Sequence, residues 1–360
     1  MRLFGQESLN TGRQVELDLA KGFAIICMIL CHSVLMYADG ANDAGFIFAD
    51  EILGGPIAAP LFMICLGIGT VYTSHGSPLE LARRGVWILL LGYLLNFMRA
   101  GIVVLIGSLI YGAEEMGGFL YWAVMCVDIL QFAGLAFIFL AVMKKLQLKD
   151  WQMVAIAGTM SILGGLCSGF DAGHPALNAL VGLFVPAGTL NDMEIVSCFP
   201  LFNWIIFPVF GVVAGKYLQR CTDKNRLYRN IFLITLPLTL LYVWVVVKKG
   251  FTPFSNGEYY WCRLPDALFF IVLDLLAISI FHFLGKVLPG FVKRALSALS
   301  FNINTVYCIS WILIGWTYAG IFYIMEVPPI GSWVALIPGV ALVFVSYWLA
   351  LGWKKLRNRF

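Results

Sequence analysis

Residues 17–37, LDLAKGFAIICMILCHSVLMY, form a single apolar run of about the length an α-helix needs to cross a bilayer. Within it stand Lys21 and His32, at positions where an ionisable side chain is costly unless it has a partner or a task. They are eleven residues apart, so on a helix they differ by roughly 20° in direction and about 16 Å along the axis. Asp18 falls on the same stripe. A face bearing a carboxylate and an ammonium near one surface and an imidazole deeper in predicts a lined path for a polar ligand. The plainer alternative has Lys21 snorkelling to the headgroups and pairing with Asp18, and His32 hydrogen-bonded to a neighbouring helix.

The rest of the chain is of the same kind. Of its 360 residues 61% are hydrophobic and 12% charged, with a mean hydropathy of +0.87, which excludes an ordinary soluble domain. Apolar stretches of spanning length recur at 17–38, 54–74, 85–111, 119–143, 151–169, 200–218, 231–247, 265–285, 298–318 and 333–353. The fold class is therefore all-α, a polytopic integral membrane protein of about ten transmembrane helices. No soluble domain fits in the remainder, so residues 1–360 read as one transmembrane domain.

Lys and Arg mark the cytoplasmic connections. Arg83, Arg84, Lys144, Lys145, Lys149, Lys216, Arg220, Lys224, Lys286, Lys293, Arg294, Lys354 and Lys355 fall in alternate connections or the tails, while the opposite side holds Lys248, Lys249 and Arg263 with carboxylates such as Asp39, Asp43, Asp50, Glu51 and Asp171. Both termini are expected in the cytoplasm. The net charge of +4 then reports topology, and no nucleic-acid partner is implied. The first run is too long for a signal-peptide core and is followed by further spans, so it reads as a retained helix.

The nine cysteines show no CxxC pair and no zinc spacing, and most read as small core residues. A disulfide among Cys167, Cys198 and Cys262 is one option. Cys31 beside His32 does not make a metal site, because adjacent residues point to different faces of a helix.

Further polar residues lie inside the spans. Arg99 and Asp128 are placed almost symmetrically about the acidic turn near Glu114, so two antiparallel helices would bring them to similar depth as an ion pair, a structural device or a site wall. Asn96 is one turn from Arg99 and Gln131 one turn from Asp128, extending the layer. Asp274 has no evident partner in its own helix, and Asn302, Asn304, Tyr307 and Ser310 polarise the ninth span. Small residues in GGPIAAPLFMICLGIGT predict close helix packing, and Pro208 predicts a kink. The segment from Phe170 to Phe199 reads as a short re-entrant or surface-lying helix, with His174 at its surface.

The opening ELDLAKGFAIICMILCH resembles the first-helix signature of the transmembrane acyltransferase superfamily, a basic residue, ten residues, then histidine. PLFMICLGIGT, RRGVWILLLGYLLNF, DILQFAGLAFIFLA and FPLFNWIIFPVFGVVAGKYL are similar, in the same order, to blocks of the heparan-α-glucosaminide N-acetyltransferase catalytic-domain branch. SFNINTVYCISWILI resembles the superfamily's late helix, with Trp311 where many members have histidine. The animal lysosomal enzymes carry asparagine at the position of His32, so this chain looks like the acyltransferase-3 pattern there.

The resemblance implies transfer of an acyl group, usually acetyl from cytoplasmic acetyl-CoA, to a sugar amine or hydroxyl on the extracytoplasmic side. It implies His32 as the catalytic histidine and Lys21 as its basic partner; the cysteine spacing gives no metal site, and His75 and His282, at cytoplasmic helix ends and not at the depth of His32, give no haem ligand pair. A glycan or amino-sugar acceptor and the lipid bilayer are the expected partners, a homodimer is compatible, and a bacterial plasma membrane is the expected location. The chemistry agrees. Acyl transfer from a thioester needs a base, and histidine titrates near the working pH. CoA phosphates near Lys21, Arg83 and Arg84 would deliver the thioester to His32 through an extended pantetheine arm. Asp18, Asn96, Arg99, Asp128 and Gln131 are the candidate substrate-binding or wall residues. The competing class is a transporter or flippase for a polar or sugar-containing substrate, although the two halves show no internal repeat.

Overall fold

The apolar runs become helices because, in hydrocarbon, each backbone N–H and C=O must find its partner within the segment. The computed structural model describes residues 3–39, 43–187, 197–249 and 259–357. In chain order the α-helices are α1 (Val15–Tyr37), α2 (Ala44–Ile47), α3 (Ala59–Tyr72), α4 (Pro78–Asn96), α5 (Ile102–Tyr111), α6 (Ala113–Met125), α7 (Ile129–Lys145), α8 (Asp150–Leu166), α9 (Pro175–Val181), α10 (Leu201–Trp204), α11 (Ile206–Gln219), α12 (Lys224–Lys249), α13 (Leu264–Val287), α14 (Gly290–Phe301), α15 (Ile303–Tyr318) and α16 (Ser332–Arg357). Wider π-type turns fill Phe48–Gly54, Phe97–Gly101 and Ala319–Ile324.

Among the described residues, eight helical stretches are long and apolar enough to cross a membrane. The sequence predicts ten spans. The other two correspond to α7 and α8, 17 residues each, and so about 26 Å long. Large side chains such as Leu109, Trp87, Leu233, Ile234 and Trp348 stay exposed, a surface that suits hydrocarbon rather than water. The chain is an integral membrane protein.

The residues cluster into two units, each drawn from several parts of the sequence. The first comprises Met1–Gln14, Phe62–Leu94 and Val124–Ile280. Here α3 crosses α11 with backbones in contact: a Cβ at Gly67 would collide with the Pro208 carbonyl, and one at Gly211 with the Ile64 carbonyl. This is the close packing the small residues predict. Pro208 cannot donate to the carbonyl one turn back, and the helix is interrupted at Ile205, between α10 and α11. The core holds Trp204, Phe207 and Phe270, all fully enclosed.

Two expectations in this unit are corrected. The run 119–143 is not one helix; α6 ends at Met125 and α7 begins at Ile129. Between them the chain is extended, and Val127 accepts hydrogen bonds from the backbone N–H groups of Cys198 and Phe199 at 2.8 and 3.2 Å. Nor do Cys167, Cys198 and Cys262 form a disulfide, since all three are free thiols. Cys198 lies instead 3.7 Å from Cys126, sulfur to sulfur. In the Phe170 to Phe199 segment the described helix is α9, which His174 caps from an exposed position by accepting the Ala176 N–H through Nδ1. Residues 188–196 lie outside the described residues.

The second unit comprises Val15–Leu61, Leu95–Ala123 and Phe281–Phe360, and α1 runs through it. Ser33 donates to the Ala335 carbonyl of α16 at 2.7 Å. Gly22 sits so close to α14 that a Cβ there would strike the Leu296 carbonyl. The ninth run, 298–318, is divided at Asn302, which ends α14 and opens α15. The Asn302 amide turns back to the Ala298 carbonyl at 2.9 Å.

Candidate functional site

The second unit gathers its polar side chains along α1. Near the start of α1, Asp18 accepts a hydrogen bond from Ser300 Oγ of α14 at 3.0 Å and pairs with the Lys21 ammonium at 3.3 Å. Asp18 is buried and the Lys21 side chain is 27% exposed. The carboxylate therefore holds the ammonium in place while leaving part of it accessible. The close approach of α1 and α14 at Gly22 is what brings Ser300 within reach of Asp18. The Asp18–Lys21 pair that the plainer reading of this stripe expects is present.

Eleven residues further along α1, the half-buried His32 meets Trp311 of α15. Their ring centroids are 4.2 Å apart and tilted by 35°. Arg99 approaches the same indole, its guanidinium carbon 4.3 Å from the ring centroid. One tryptophan thus contacts both the imidazole and a cation. An aromatic face attracts a guanidinium, by about 2 kcal/mol or more where water is excluded. Among the described residues Trp311 Nε1 is buried without a hydrogen-bond partner, so the ring is held by packing and leaves a donor for a ligand.

Arg99 lies in the π-type turn Phe97–Gly101, inside what the sequence reads as one regular span. Such bulges loosen the carbonyl ladder and are frequent at functional sites. Here the Met98 carbonyl accepts the Trp316 indole N–H at 2.9 Å. Gly315 packs against Arg99 so tightly that a Cβ would collide with the Arg99 carbonyl. Two adjacent residues of α15 therefore fit the bulge, and Trp311 lies one turn earlier on that helix. Asn96, immediately before the bulge, is 1% exposed.

The remaining candidates belong to the first unit. Asp128 is not inside a membrane helix; it is the N-cap of α7 and accepts the Ile129 N–H at 2.7 Å. Gln131 returns its side-chain oxygen to the Asp128 N–H at 3.2 Å, completing a capping box. Their spacing of three thus has a local reason, satisfaction of the first N–H groups of α7. Arg83 is exposed, and Arg84 lies over the Phe137 ring, 4.6 Å from its centroid. Asp274 is fully buried, and among the described residues neither carboxylate oxygen has a hydrogen-bond partner.

The sequence singles out Lys21, Asp18 and His32 and gives Trp311 no role beside His32. Its signal was the aromatic residue at a place the resembled family fills with histidine. Among the described residues no three His, Cys, Asp or Glu side chains come together as a metal site. A sequence profile of an acyltransferase domain matches residues 14–351. No curated protein matches the chain.

Proposed function

Because the chain belongs to the acyltransferase-3 family, we propose that this membrane acyltransferase moves an acetyl group from acetyl-CoA on the cytoplasmic side to a sugar hydroxyl or amine on the opposite side. The observation that carries the reading is the contact of His32 and Arg99 with the Trp311 indole, with Lys21 eleven residues before His32 on α1.

In this scheme His32 takes the proton as the acceptor oxygen or nitrogen attacks the thioester carbonyl. A bond forms from acceptor to carbonyl carbon, and the carbonyl oxygen gains charge. Arg99 supplies the nearby positive charge that favours this oxyanion in a site poor in water. Collapse breaks the carbon–sulfur bond, and the imidazolium returns its proton to the departing CoA thiolate. Lys21, oriented by Asp18, contacts the donor through charge-assisted hydrogen bonds. Trp311 keeps the imidazole and guanidinium in register.

Transfer itself is the test. Proteoliposomes receive acetyl-CoA labelled in its acetyl group on one side and a panel of amino sugars and glycans on the other. Label in an acceptor supports the reading. An acceptor that crosses the bilayer with no loss of acetyl-CoA replaces it with the transporter reading.

A further inference from the structure

The second unit carries a groove of about 460 Å³ beside the start of α1, lined by Val15, Glu16, Phe281, His282, Gly285, Lys286, Lys293, Arg294 and Ser297. Its walls are the first turn of α1, the end of α13 and the beginning of α14. Three cations and an imidazole face one concavity, with Glu16 as the carboxylate in its wall.

Basic residues on a cytoplasmic edge are expected from topology alone, and Lys286, in the last turn of α13, also suits the negative end of a helix. Lys293 and Arg294 do not. They lie near the start of α14, where the helix dipole and the first N–H groups are already positive. The N-cap, Pro289, supplies no side-chain acceptor to those groups. Arg294 Nη1 lies only 3.4 Å from where a Cβ on Gly290 would stand, so its charge folds back over the helix start. Lys293 Nζ reaches across to the Gly285 carbonyl at 3.2 Å, fixing it against α13. Among the described residues neither cation has a carboxylate within ion-pair distance. Positive charge collected where it is least favoured, around a concavity, is the arrangement that a bound anion would stabilise.

We propose that this groove binds the phosphates of a soluble diphosphate ligand, the nucleotide end of the acyl donor. The assignment rests on the acyl-CoA reading above and moves the phosphates from Lys21 to the α13–α14 groove. From Glu16 to His32 the helix axis advances roughly 24 Å, comparable with an extended pantetheine arm together with its diphosphate. Lys21 lies between the two ends and holds the arm. Ser297 and His282 add donors of the kind that satisfy phosphate oxygens.

Binding of CoA, of pantetheine and of inorganic pyrophosphate to the purified full chain tests this. Arg294→Gln and Lys293→Gln should each weaken CoA about tenfold or more and leave pantetheine unchanged, whereas Lys355→Gln, outside the groove, should match wild type. Each variant's elution profile and Tm are compared with wild type; should either fail to fold, Lys286→Gln takes its place. Wild-type CoA affinity in the groove variants overturns the proposal, while the acyltransferase reading stands. Pyrophosphate binding that Arg294→Gln removes, in a chain that does not bind CoA, supports the groove and overturns the donor reading. A wild-type chain that binds neither ligand overturns the groove. The remaining source of phosphate is a lipid headgroup. Nanodiscs with and without phosphatidylglycerol separate it, because stabilisation by that lipid, lost in the variants while CoA binding is kept, overturns the diphosphate assignment.

Discussion

The Arg99 guanidinium rests on the indole of Trp311, 4.3 Å from the ring centroid, and His32 meets the same ring. The guanidinium and the imidazole are thereby positioned by a side chain that has no acid–base chemistry of its own.

Trp311→Ala should therefore lower kcat without weakening donor binding. Losing about 2 kcal/mol of buried cation–π attraction corresponds to roughly thirtyfold in rate if it is felt at the transition state. Trp311→Phe keeps an aromatic face and should recover most of the activity. Single-turnover acetyl transfer and equilibrium CoA binding, measured on both variants, check this. Equal losses for Phe and Ala, accompanied by a lowered Tm, would mean that the ring serves only packing.

Gly22 sets the approach of α1 to α14, and through it the hydrogen bond from Ser300 to Asp18 at 3.0 Å. The clash is with backbone, the Leu296 carbonyl, which cannot rotate away. Gly22→Val should cost roughly 1–3 kcal/mol or more and lower folded yield in detergent. Gly352→Ala, where nothing lies within 4 Å of the added Cβ, is the control for Gly22→Ala, whose Cβ alone already meets the Leu296 carbonyl. A Gly22→Val chain as stable as wild type would show that α14 shifts freely.

The Cys126 and Cys198 sulfurs are 3.7 Å apart, and their chain neighbours, Val127 and Ser197, are bridged. Mild oxidation should link them, each thiol giving up one proton and one electron to the added oxidant. The bond would close a loop with a sequence separation of 72, for which the chain-entropy treatment gives about 4 kcal/mol of stabilisation. Peptide mapping without reductant should recover the 126–198 pair, and Cys126→Ser should remove it. Recovery of other cysteine pairs in its place would place these segments apart.

How far the sequence discloses this molecule depends on the range of the interaction. Val15–Tyr37 was legible because hydropathy and the Asp18–Lys21 spacing act within a turn or two of one helix. The Asp128–Gln131 spacing was visible as a pattern, but its local reason was not, since a capping box and a polar layer both place residues three apart. The break at Cys126–Asp128 was hidden because its partner, Ser197, is distant in sequence. The bulge under Arg99 was hidden for another reason: an apolar run keeps the same hydropathy whether its turns are α or π. The joint contact of His32 and Arg99 with Trp311 requires three segments at once, and no periodicity along one of them reports it.

His32 and Lys21 lie on one helix, and the proposed mechanism gives them separable tasks. His32→Ala removes the group that takes the acceptor's proton, so transfer should fall by at least about a hundredfold, the usual lower bound for general-base catalysis. CoA binding should persist, because the imidazole would meet the thioester end and contribute little to holding the nucleotide. Lys21→Ala removes a charge-assisted contact and frees Asp18, which keeps its bond from Ser300 but loses its cation. KM for the donor should rise more than kcat falls. Asp18→Asn should resemble a milder Lys21→Ala, because it unfixes the ammonium without removing it. Steady-state kinetics on the three variants, with CoA binding measured separately, resolves the assignment. If His32→Ala transferred acetyl at near the wild-type rate to a verified acceptor, the polar stripe of α1 would be structural and the base would have to be sought elsewhere.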